Sequence, residues 1–582
     1  MNKEEVADAL DEIGTLLELK GENAFRTNAY HNGARAILQM QGDINDVIAQ
    51  GKLTEAPGIG ETLREKITTL VTTGSLPYLE KLRAEIPAGL VAMLRIPGVG
   101  PKKVKVLHDT LHIKTLDDLK AACEQDRIAK LKGFGAKTQA KILEGIAFLN
   151  EVGHRVRIDQ ALPIGQKLLE FIRQQPGVIR AELGGSLRRR RETAKDIDLL
   201  ASSDKPGPIM EAFVSMPSVK QVIGHGDTKS SVVVEDWVDG GRVILNADLR
   251  IVTDKQFPFA LHYFTGNKDH NIKVRQRAID RGLKLNEYEL VGDGKNVSCT
   301  DETELFAALE LDFIPPEMRE NTGEIDLAAW ENGKSKYRIP RLVEVSDIRG
   351  VFHNHTTASD GHATLEEMAQ AAKKLGFEYL GIADHSQSLN IANGLSPARV
   401  QQQHEQIDAL NAKLKGIKLL KGTEVDILED GGLDFPDKVL ETFDYVVVSV
   451  HTLFNQPEDV MTNRIIQAVR HPLVTMLGHA TGRLLLRREG YKVNLDRVIE
   501  ACAEAGTMIE INAQPTRLDL DWVYCKRAKS LGIPLVINPD AHSTGELALF
   551  EYGVNVARRA WLEKGDVFNT KSLKEVSKAL EI

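Results

Sequence analysis

Between residues 346 and 582 one arrangement recurs: a short apolar run stops at a His, Asp or Glu. Residues 348–352 lead into His353-Asn354-His355, with Asp360 just after, and 379–383 end at Asp384-His385. Residues 418–423 end at Glu424, 443–450 at His451, 474–478 at His479, and 534–539 at Asp540-Ala541-His542. A core strand gains nothing from an imidazole or carboxylate at its tip, whereas a barrel of parallel strands with a metal site at its C-terminal mouth needs such groups there. One catalytic ion usually takes about three protein ligands plus water. His353, His355, Asp360, His385, Glu424, His451, His479, Asp540 and His542 are too many for one ion and imply a cluster of two or three. Imidazoles with bridging carboxylates suit zinc, manganese or iron alike. Asp384, Asp426, Glu510 and Asn512 are expected to orient ligands. His362 is expected in a loop beside the site, His404 at the surface and His471 as a helix cap.

A second constellation lies upstream. Residues 181–201 read AELGGSLRRRRETAKDIDLLA. Asp196 and Asp198 are two apart on a predicted strand, so both side chains point to one face. Another predicted strand, 244–252, carries Asp248 among apolar residues, and a charge there is costly unless it meets a cation. Three carboxylates on one face suit two divalent ions roughly 3.5–4 Å apart, the arrangement for in-line phosphoryl transfer. An isolated D-x-D more often marks a solvated strand end. The Gly184-Gly185-Ser186 turn and the arginines at 188–191 favour the chemical reading, because a triphosphate beside metals needs both.

Three loops share a third pattern: Pro57-Gly58-Ile59-Gly60, Pro97-Gly98-Val99-Gly100 and Lys132-Gly133-Phe134-Gly135. Each opens a helical stretch, two of them with Lys102, Lys103 and Lys105 or Lys137 and Lys141 close behind. Glycines let the turn go tight, and the helix start offers free N–H groups to a phosphate without reading sequence. These are helix-hairpin-helix patterns.

The elements that must position these groups follow from periodicity. Residues 1–150 read as helical, with Val6, Leu10, Ile13 and Leu17 on one face. Residues 155–312 mix strands and helices, and 313–345 carry Pro, Gly and Asn at turn frequency. From 346 onward strands alternate with helices, which indicates a parallel α/β domain. The 582 residues allow three or four domains, and a net charge of −9 excludes a uniformly basic nucleic-acid binder but not local basic patches. The acidic start and the absence of long apolar runs predict neither leader nor membrane span. Cys123, Cys299, Cys502 and Cys525 are scattered, as in a reduced cytoplasm.

With these motifs in hand, the chain resembles the bacterial and archaeal family X DNA polymerases that carry a C-terminal PHP domain. The resemblance runs from Phe25-Arg26-Thr27-Asn28-Ala29-Tyr30 through Gly185-Ser186, Asp196-Ile197-Asp198, Asp248-Leu249-Arg250 and Tyr263-Phe264-Thr265-Gly266 to the metal motifs. It implies a multidomain α plus α/β protein: a lyase-like helical domain (1–85), a helix-hairpin-helix region (86–150), a nucleotidyltransferase palm with its nucleotide-selection part (151–315), a linker (316–345) and a distorted (β/α)7 PHP barrel (346–582). It implies gap-filling DNA synthesis in repair, with phosphate-ester hydrolysis at a DNA 3′ end, a 3′–5′ exonuclease, in the barrel. The competing expectation is a DNA-binding nuclease whose polymerase half is inert.

Residue by residue, the resemblance implies that Asp196, Asp198 and Asp248 hold two Mg2+ ions, with Mn2+ as an alternative. Ser186 and Arg189 would hold the triphosphate, and Arg250 would orient the carboxylates. Tyr263 and Phe264 would lie against the sugar, Gly266 would belong to the nucleotide site, and Asn271 and Arg275 would lie on the minor-groove side. Arg26 and Tyr30 would take a 5′ phosphate, and the loop glycines and Lys102 the DNA backbone. Lys66 matches a Schiff-base lysine, although a solvated helix lysine is an equal reading. Thr62 in place of a second lysine, and Lys195 before Asp196, depart from the pattern and argue against lyase chemistry. The nine barrel residues would hold up to three Mn2+ or Zn2+ ions, with Arg483 gripping phosphate. Expected partners are gapped or primed DNA and deoxynucleoside triphosphates, for a cytoplasmic monomer.

Overall fold

The computed structural model describes the chain except residues 1–2, 40–43, 56–57, 95, 97–98, 153–154 and 239–240. It forms two compact units: Met1–Arg155 with Glu235–Ile244 and Leu486–Arg488, and the remainder. In the first unit every regular element described between 3 and 152 is helical. The predicted stripe of Val6, Leu10, Ile13 and Leu17 is fully buried, in one core with Tyr30, Ile37, Leu63 and Ile67.

The second unit holds a five-stranded sheet, apart from the 235–244 ends of two of its strands. Its strands are β1 (Arg180–Leu183), β2 (Asp196–Ser202), β3 (Val219–His225), β4 (Lys229–Val238) and β5 (Gly241–Val252), in the order β1-β2-β5-β4-β3. In β5 the residues Val243, Leu245, Ala247, Leu249 and Ile251 are buried. The alternation turns Asn246, Asp248 and Arg250 to the other face. β2 and β5 run parallel with Asp198 opposite Asp248.

Helices Phe257–Thr265 and Lys268–Asp280 follow, and Val274, Leu290, Leu305 and Phe306 form a core beneath them. The stretch 316–345 is not the linker expected from its prolines and glycines. It contributes Met318, Ile325, Ala328 and Leu342 to that core. It also buries two charges, Arg319 against Glu302 at 2.5 Å and Glu324 against His270 at 2.7 Å. Turn residues mark irregular backbone, which a packed segment uses as readily as a tether.

Seven parallel strands complete the unit in chain order: β6 (Gly350–Val351), β7 (Tyr379–Ile382), β8 (Lys418–Asp426), β9 (Tyr445–Ser449), β10 (Met476–Leu477), β11 (Met508–Asn512) and β12 (Leu535–Asn538). Most are buried along their length, as strands covered on both faces must be. First and last meet: Phe352 N donates to Asn538 Oδ1 at 2.9 Å and His355 N to the Ala541 carbonyl at 2.8 Å. Phe352, Tyr379 and Tyr445 fill the interior. Gly422 makes room for them, since a Cβ there would lie 2.0 Å from Tyr445 Cζ. Among the described residues no helix is long and apolar enough to cross a membrane.

Candidate active sites

The nine predicted barrel residues converge where the strands end. Glu424, at the end region of β8, is the hub: its carboxylate lies 3.2 Å from His353 Nε2, 2.9 Å from His385 Nδ1, 3.3 Å from His451 Nε2 and 2.9 Å from His479 Nε2. Asp540 meets His355 Nε2 at 3.1 Å, and Asp360 lies 3.6 Å from His385 and 3.5 Å from His542. Ligand atoms group within 4.8 Å in three sets: His355, Asp360, His385 and His542; His353, His355 and Asp540; His385, Glu424 and His451. His353 Nε2, His355 Nδ1 and Glu424 Oε1 are buried and, apart from ion-pair contacts within the cluster, make no directed hydrogen bond. Buried ligand atoms satisfied only by one another, in overlapping sets, fit a multinuclear cation cluster.

A supporting layer orients them. Glu510 Oε2 accepts a hydrogen bond from His353 Nδ1 at 2.6 Å, which leaves Nε2 facing the cluster. Asp426 pairs with His451 Nδ1 in the same way. Asp384 accepts from Thr356 N at 2.8 Å, and Asn512 Nδ2 donates to Asp540 at 3.0 Å. Glu510, Asp426 and Asn512 thus touch clustered residues as expected, whereas the Asp384 carboxylate ties Thr356, Ser359 and Gln403 together beside the cluster. Burial alone would pull the pKa of His385 down, but Glu424 and then Asp360 outweigh it and hold it at about 10. The same balance, with Glu424 and Asp426, holds His451 at about 9, and with Asp360 and Asp540, His542 at about 9. Glu424 and Asp540 are held well below the usual carboxylate range by His353 and its neighbours, against the cost of burial.

Two basic residues depart from expectation. Arg483 does not face the cluster; it donates to the Arg517 carbonyl at 2.9 Å, to the Leu518 carbonyl and to Asp521 at 3.1 Å. It therefore brackets the loop after β11. That loop carries Arg517, whose Nε lies 3.9 Å from Asp540 and which sequence reading passed over. The signal available was position alone: Arg517 follows the strand tip that bears Glu510 and Asn512. His404 is half-buried, edge-on to Phe443 at 4.8 Å, rather than at the surface.

In the sheet, Asp198 and Asp248 stand opposite each other with Asp196 on the same face. Burial first, then Asp196 and Asp248, push the Asp198 carboxyl up to about 7. Lys229 Nζ lies 2.9 Å from Asp248. A buried carboxyl raised by its carboxylate neighbours, as Asp198 is, fits a divalent cation, which would remove the repulsion. Gly184 N donates to the Asp198 carbonyl at 2.8 Å. Gly185, at φ +55, packs so closely that a Cβ would fall 2.0 Å from Asp198 Oδ2. The glycine pair thus seats the turn bearing Ser186 directly on the acid face.

Arg250 lies over the Phe264 ring at 4.7 Å, and Tyr263 meets Phe264 edge-on at 5.1 Å. Asn271 Nδ2 donates to the Tyr263 carbonyl at 2.7 Å, and a Cβ on Gly266 would lie 2.5 Å from Asn271 Oδ1, so side chain and turn fit each other. Arg275 is exposed on the same helix. Arg189 corrects the expectation of a free triphosphate ligand. It is buried, donating to Glu320 at 3.0 Å and to the Thr265 carbonyl at 2.7 Å. Glu320 also lies 3.6 Å from Arg559, whose Nη1 is 2.6 Å from Glu192.

In the first unit Ile59, Val99 and Phe134 are buried and anchor the three loops. Gly98 lies outside the described residues. Gly58, Gly133 and Gly135 hold φ of +93, +89 and +71. Gly60 (φ −83) and Gly100 (φ −88) hold backbone open to any residue, and a Cβ would meet nothing within 4 Å. The fold does not demand glycine at these two helix starts; a phosphate backbone approaching from outside would. Lys102 is exposed beside Gly100. Lys66 is not a solvated lysine. It donates to the Tyr30 hydroxyl and lies 4.0 Å above the Tyr78 ring, and burial pulls its pKa down. Arg26 Nη2 donates to the Tyr78 hydroxyl at 3.0 Å.

A helical N-terminus with phosphate-ready loops, a carboxylate palm and a metal-competent barrel define a two-site phosphoryl-transfer enzyme. Residues 1–76 match the helix-hairpin-helix domain family, 91–147 the SAM-like helix-hairpin-helix tandem, 260–320 the DNA polymerase beta thumb and 352–514 the PHP domain. The chain is 39% identical over 583 residues to the DNA polymerase/3′-5′ exonuclease PolX of Bacillus subtilis (strain 168), covering 100% of both. It belongs to that family, the family X DNA polymerases with a C-terminal PHP domain. A probable phosphatase of Thermoanaerobacter sp. (strain X514) is 30% identical over 230 residues, 38% of this chain and 89% of its own. A probable phosphatase of Caldanaerobacter subterraneus subsp. tengcongensis is 28% identical over a stretch of the same size, 85% of its length.

Proposed function

We propose that this chain is a DNA polymerase that fills short gaps during repair, with a 3′–5′ exonuclease in its PHP barrel. The observation that carries the reading is the register of Asp198 opposite Asp248, with Gly185 packed on the same carboxylate. Asp196, Asp198 and Asp248 hold Mg2+, and Mn2+ serves in its place. Asp248 lies nearest the attacking 3′ hydroxyl. Ser186 and the N–H groups beside it take the triphosphate, and Arg189 joins them only by leaving Glu320. Tyr263 and Phe264 stand against the sugar, with Asn271 and Arg275 toward the nascent pair. Arg26, Tyr30 and Lys66 hold the 5′ side of the gap, and the loop glycines with Lys102 hold the backbone. In the barrel the nine residues hold up to three Mn2+ or Zn2+ ions, and Arg517 faces the phosphate. Divalent ions at either site supply charge neutralisation and Lewis acidity at phosphorus.

Extension across a one-nucleotide gap tests the palm. Asp248→Asn should reduce it by about a thousandfold or more while leaving degradation of a 3′-labelled strand within about twofold. His353→Ala should do the reverse. A wild-type chain that does not extend the primer sinks the polymerase reading, and degradation that survives His353→Ala sinks the assignment of the exonuclease to the barrel.

A further inference from the structure

The helix Phe550–Arg559 belongs to the barrel. It follows β12 and lies on it so closely that a Cβ on Gly553 would fall 2.6 Å from Ile537 Cγ2 and 2.8 Å from Ala513 Cβ. Its last residue, Arg559, is 1% exposed. A guanidinium cannot shed its proton, so burial obliges it to meet carboxylates. Among the described residues, those it meets both lie in the polymerase half. Arg559 Nη1 is 2.6 Å from Glu192 and Nη2 is 3.6 Å from Glu320. From the barrel itself comes the Trp522 ring, 5.0 Å from the guanidinium. The barrel thus commits a buried charge to the other half of the chain.

Both carboxylates bear on the nucleotide site. Glu192 closes the turn that opens at Gly185-Ser186, where Arg191 N donates to the Ser186 carbonyl at 3.0 Å. Burial acts to raise the Glu192 carboxyl, but Arg559 and then Arg483 outweigh it and hold it below the usual carboxylate range. Glu320 is the group that withholds Arg189 from a triphosphate. Arg189 Nε donates to its Oε1 at 3.0 Å, and Arg559 approaches that same oxygen. Asn267 Nδ2 donates to Oε2 at 2.9 Å, and the half-exposed Arg191 lies 4.0 Å from it. One buried oxygen is therefore shared by two guanidinium groups, one from each half of the chain.

We propose that Arg559, a residue of the barrel, is a positioning residue of the polymerase site: it keeps Glu320 paired when Arg189 turns to the triphosphate. The role rests on the polymerase reading above. Glu320 is 8% exposed, and a buried carboxylate that loses its cation is costly. If Arg189 were its one close guanidinium, nucleotide binding would strand that charge. With Arg559 already at the same oxygen, the charge stays compensated and Arg189 is free to move. Without Arg559, a phosphate must compete with a buried carboxylate for Arg189. The barrel then governs nucleotide affinity through one side chain, with no part played by its hydrolytic cluster.

The test uses the full chain carrying Arg559→Met. In extension across a one-nucleotide gap, KM for the incoming deoxynucleoside triphosphate should rise about tenfold, with kcat changed less than about threefold. Adding Glu320→Gln removes the charge that traps Arg189, so the double variant should return to within about threefold of the wild-type KM. An arginine that merely supports the fold predicts two losses that add instead. Since Arg559→Met also leaves Glu192 without its partner, the comparison is repeated in a Glu192→Gln chain, where the same rise and the same rescue are expected. An unaltered KM, a loss confined to kcat, or a rise that Glu320→Gln does not reverse overturns the role. If the wild type does not extend the primer, the polymerase reading has failed. Binding of a fluorescent deoxynucleoside triphosphate in Ca2+ then decides the role of Arg559: about tenfold weakening by Arg559→Met with rescue by Glu320→Gln upholds it, and any other result, including no binding to the wild type, overturns it.

Discussion

In the palm three carboxylates face one another with Lys229 close to one of them. In the barrel three carboxylates, Asp360, Glu424 and Asp540, stand among six histidines. Both sets suit divalent cations, yet their internal balance differs in sign. Asp198 is pushed up to about 7, by burial and then by Asp196 and Asp248. Glu424 is pushed down, because His353, His451 and His385 outweigh its burial. The palm is a repulsive site that a cation relaxes. The barrel is already paired, and a cation there must displace protons. A site for transient ions that arrive with each nucleotide suits the first arrangement, and a resident cluster suits the second.

The largest expected effect is a divergence in stability of the metal-stripped chain. Glu424→Gln removes the shared counter-charge of four buried or nearly buried imidazoles and should destabilise by about 3–5 kcal/mol. Asp198→Asn removes a repelled carboxylate and should stabilise by about 1–3 kcal/mol at pH 8. Denaturant melts of the two variants in EDTA measure both. Shifts of the same sign would erase the contrast between the sites.

Proton counts sharpen it next. A carboxyl whose folded pKa is raised costs stability as pH climbs from about 4 to 7, the window for Asp198. Histidines with raised folded pKa values contribute stability that is complete below their unfolded value of about 6.5. In the stripped chain that contribution fades as pH rises through about 9 to 10, the values held by His451, His542 and His385. Cation binding reverses both protonations. Calorimetry in buffers of different ionisation heat should give about half a proton released at pH 7 on Mg2+ binding to the palm. Mn2+ loading of the barrel, followed in the Asp198→Asn chain, should release about four, one each from His353, His385, His451 and His542. Equal counts would show that the histidines are not protonated without metal.

The two regions also differ in what their sequence disclosed. The barrel could be read almost to the residue, since a parallel strand is apolar throughout and any charge at its tip stands out. Glu510 and Asn512 were visible by the same logic, and Arg517 was missed because an arginine beyond a tip resembles any loop cation. Asp196 and Asp198 were legible from their two-residue spacing, and Asp248 as a charge on an apolar strand. The arginines were not: Arg189 turns to Glu320, 131 positions away, and Arg483 to Asp521, 38 away. Residue type announces a guanidinium but not which carboxylate reaches it first. Strand β3 escaped notice because it is exposed along most of its length and shows no alternation.

The smallest effect probes the palm's lysine. Lys229 and Asp248 are 46% and 35% exposed at 2.9 Å, so their pair adds less than about 1 kcal/mol to stability. Its charge, however, occupies the carboxylate that a cation needs. If the palm is repulsive and waits for an external charge, Lys229→Met should leave folding unchanged and tighten Mg2+ binding about two- to threefold, read as the half-saturating Mg2+ in gap extension. Weaker binding in that variant would mean that Lys229 holds Asp248 in position. The palm would then depend on an internal cation as the barrel depends on its histidines, and the two sites would differ in degree rather than in kind.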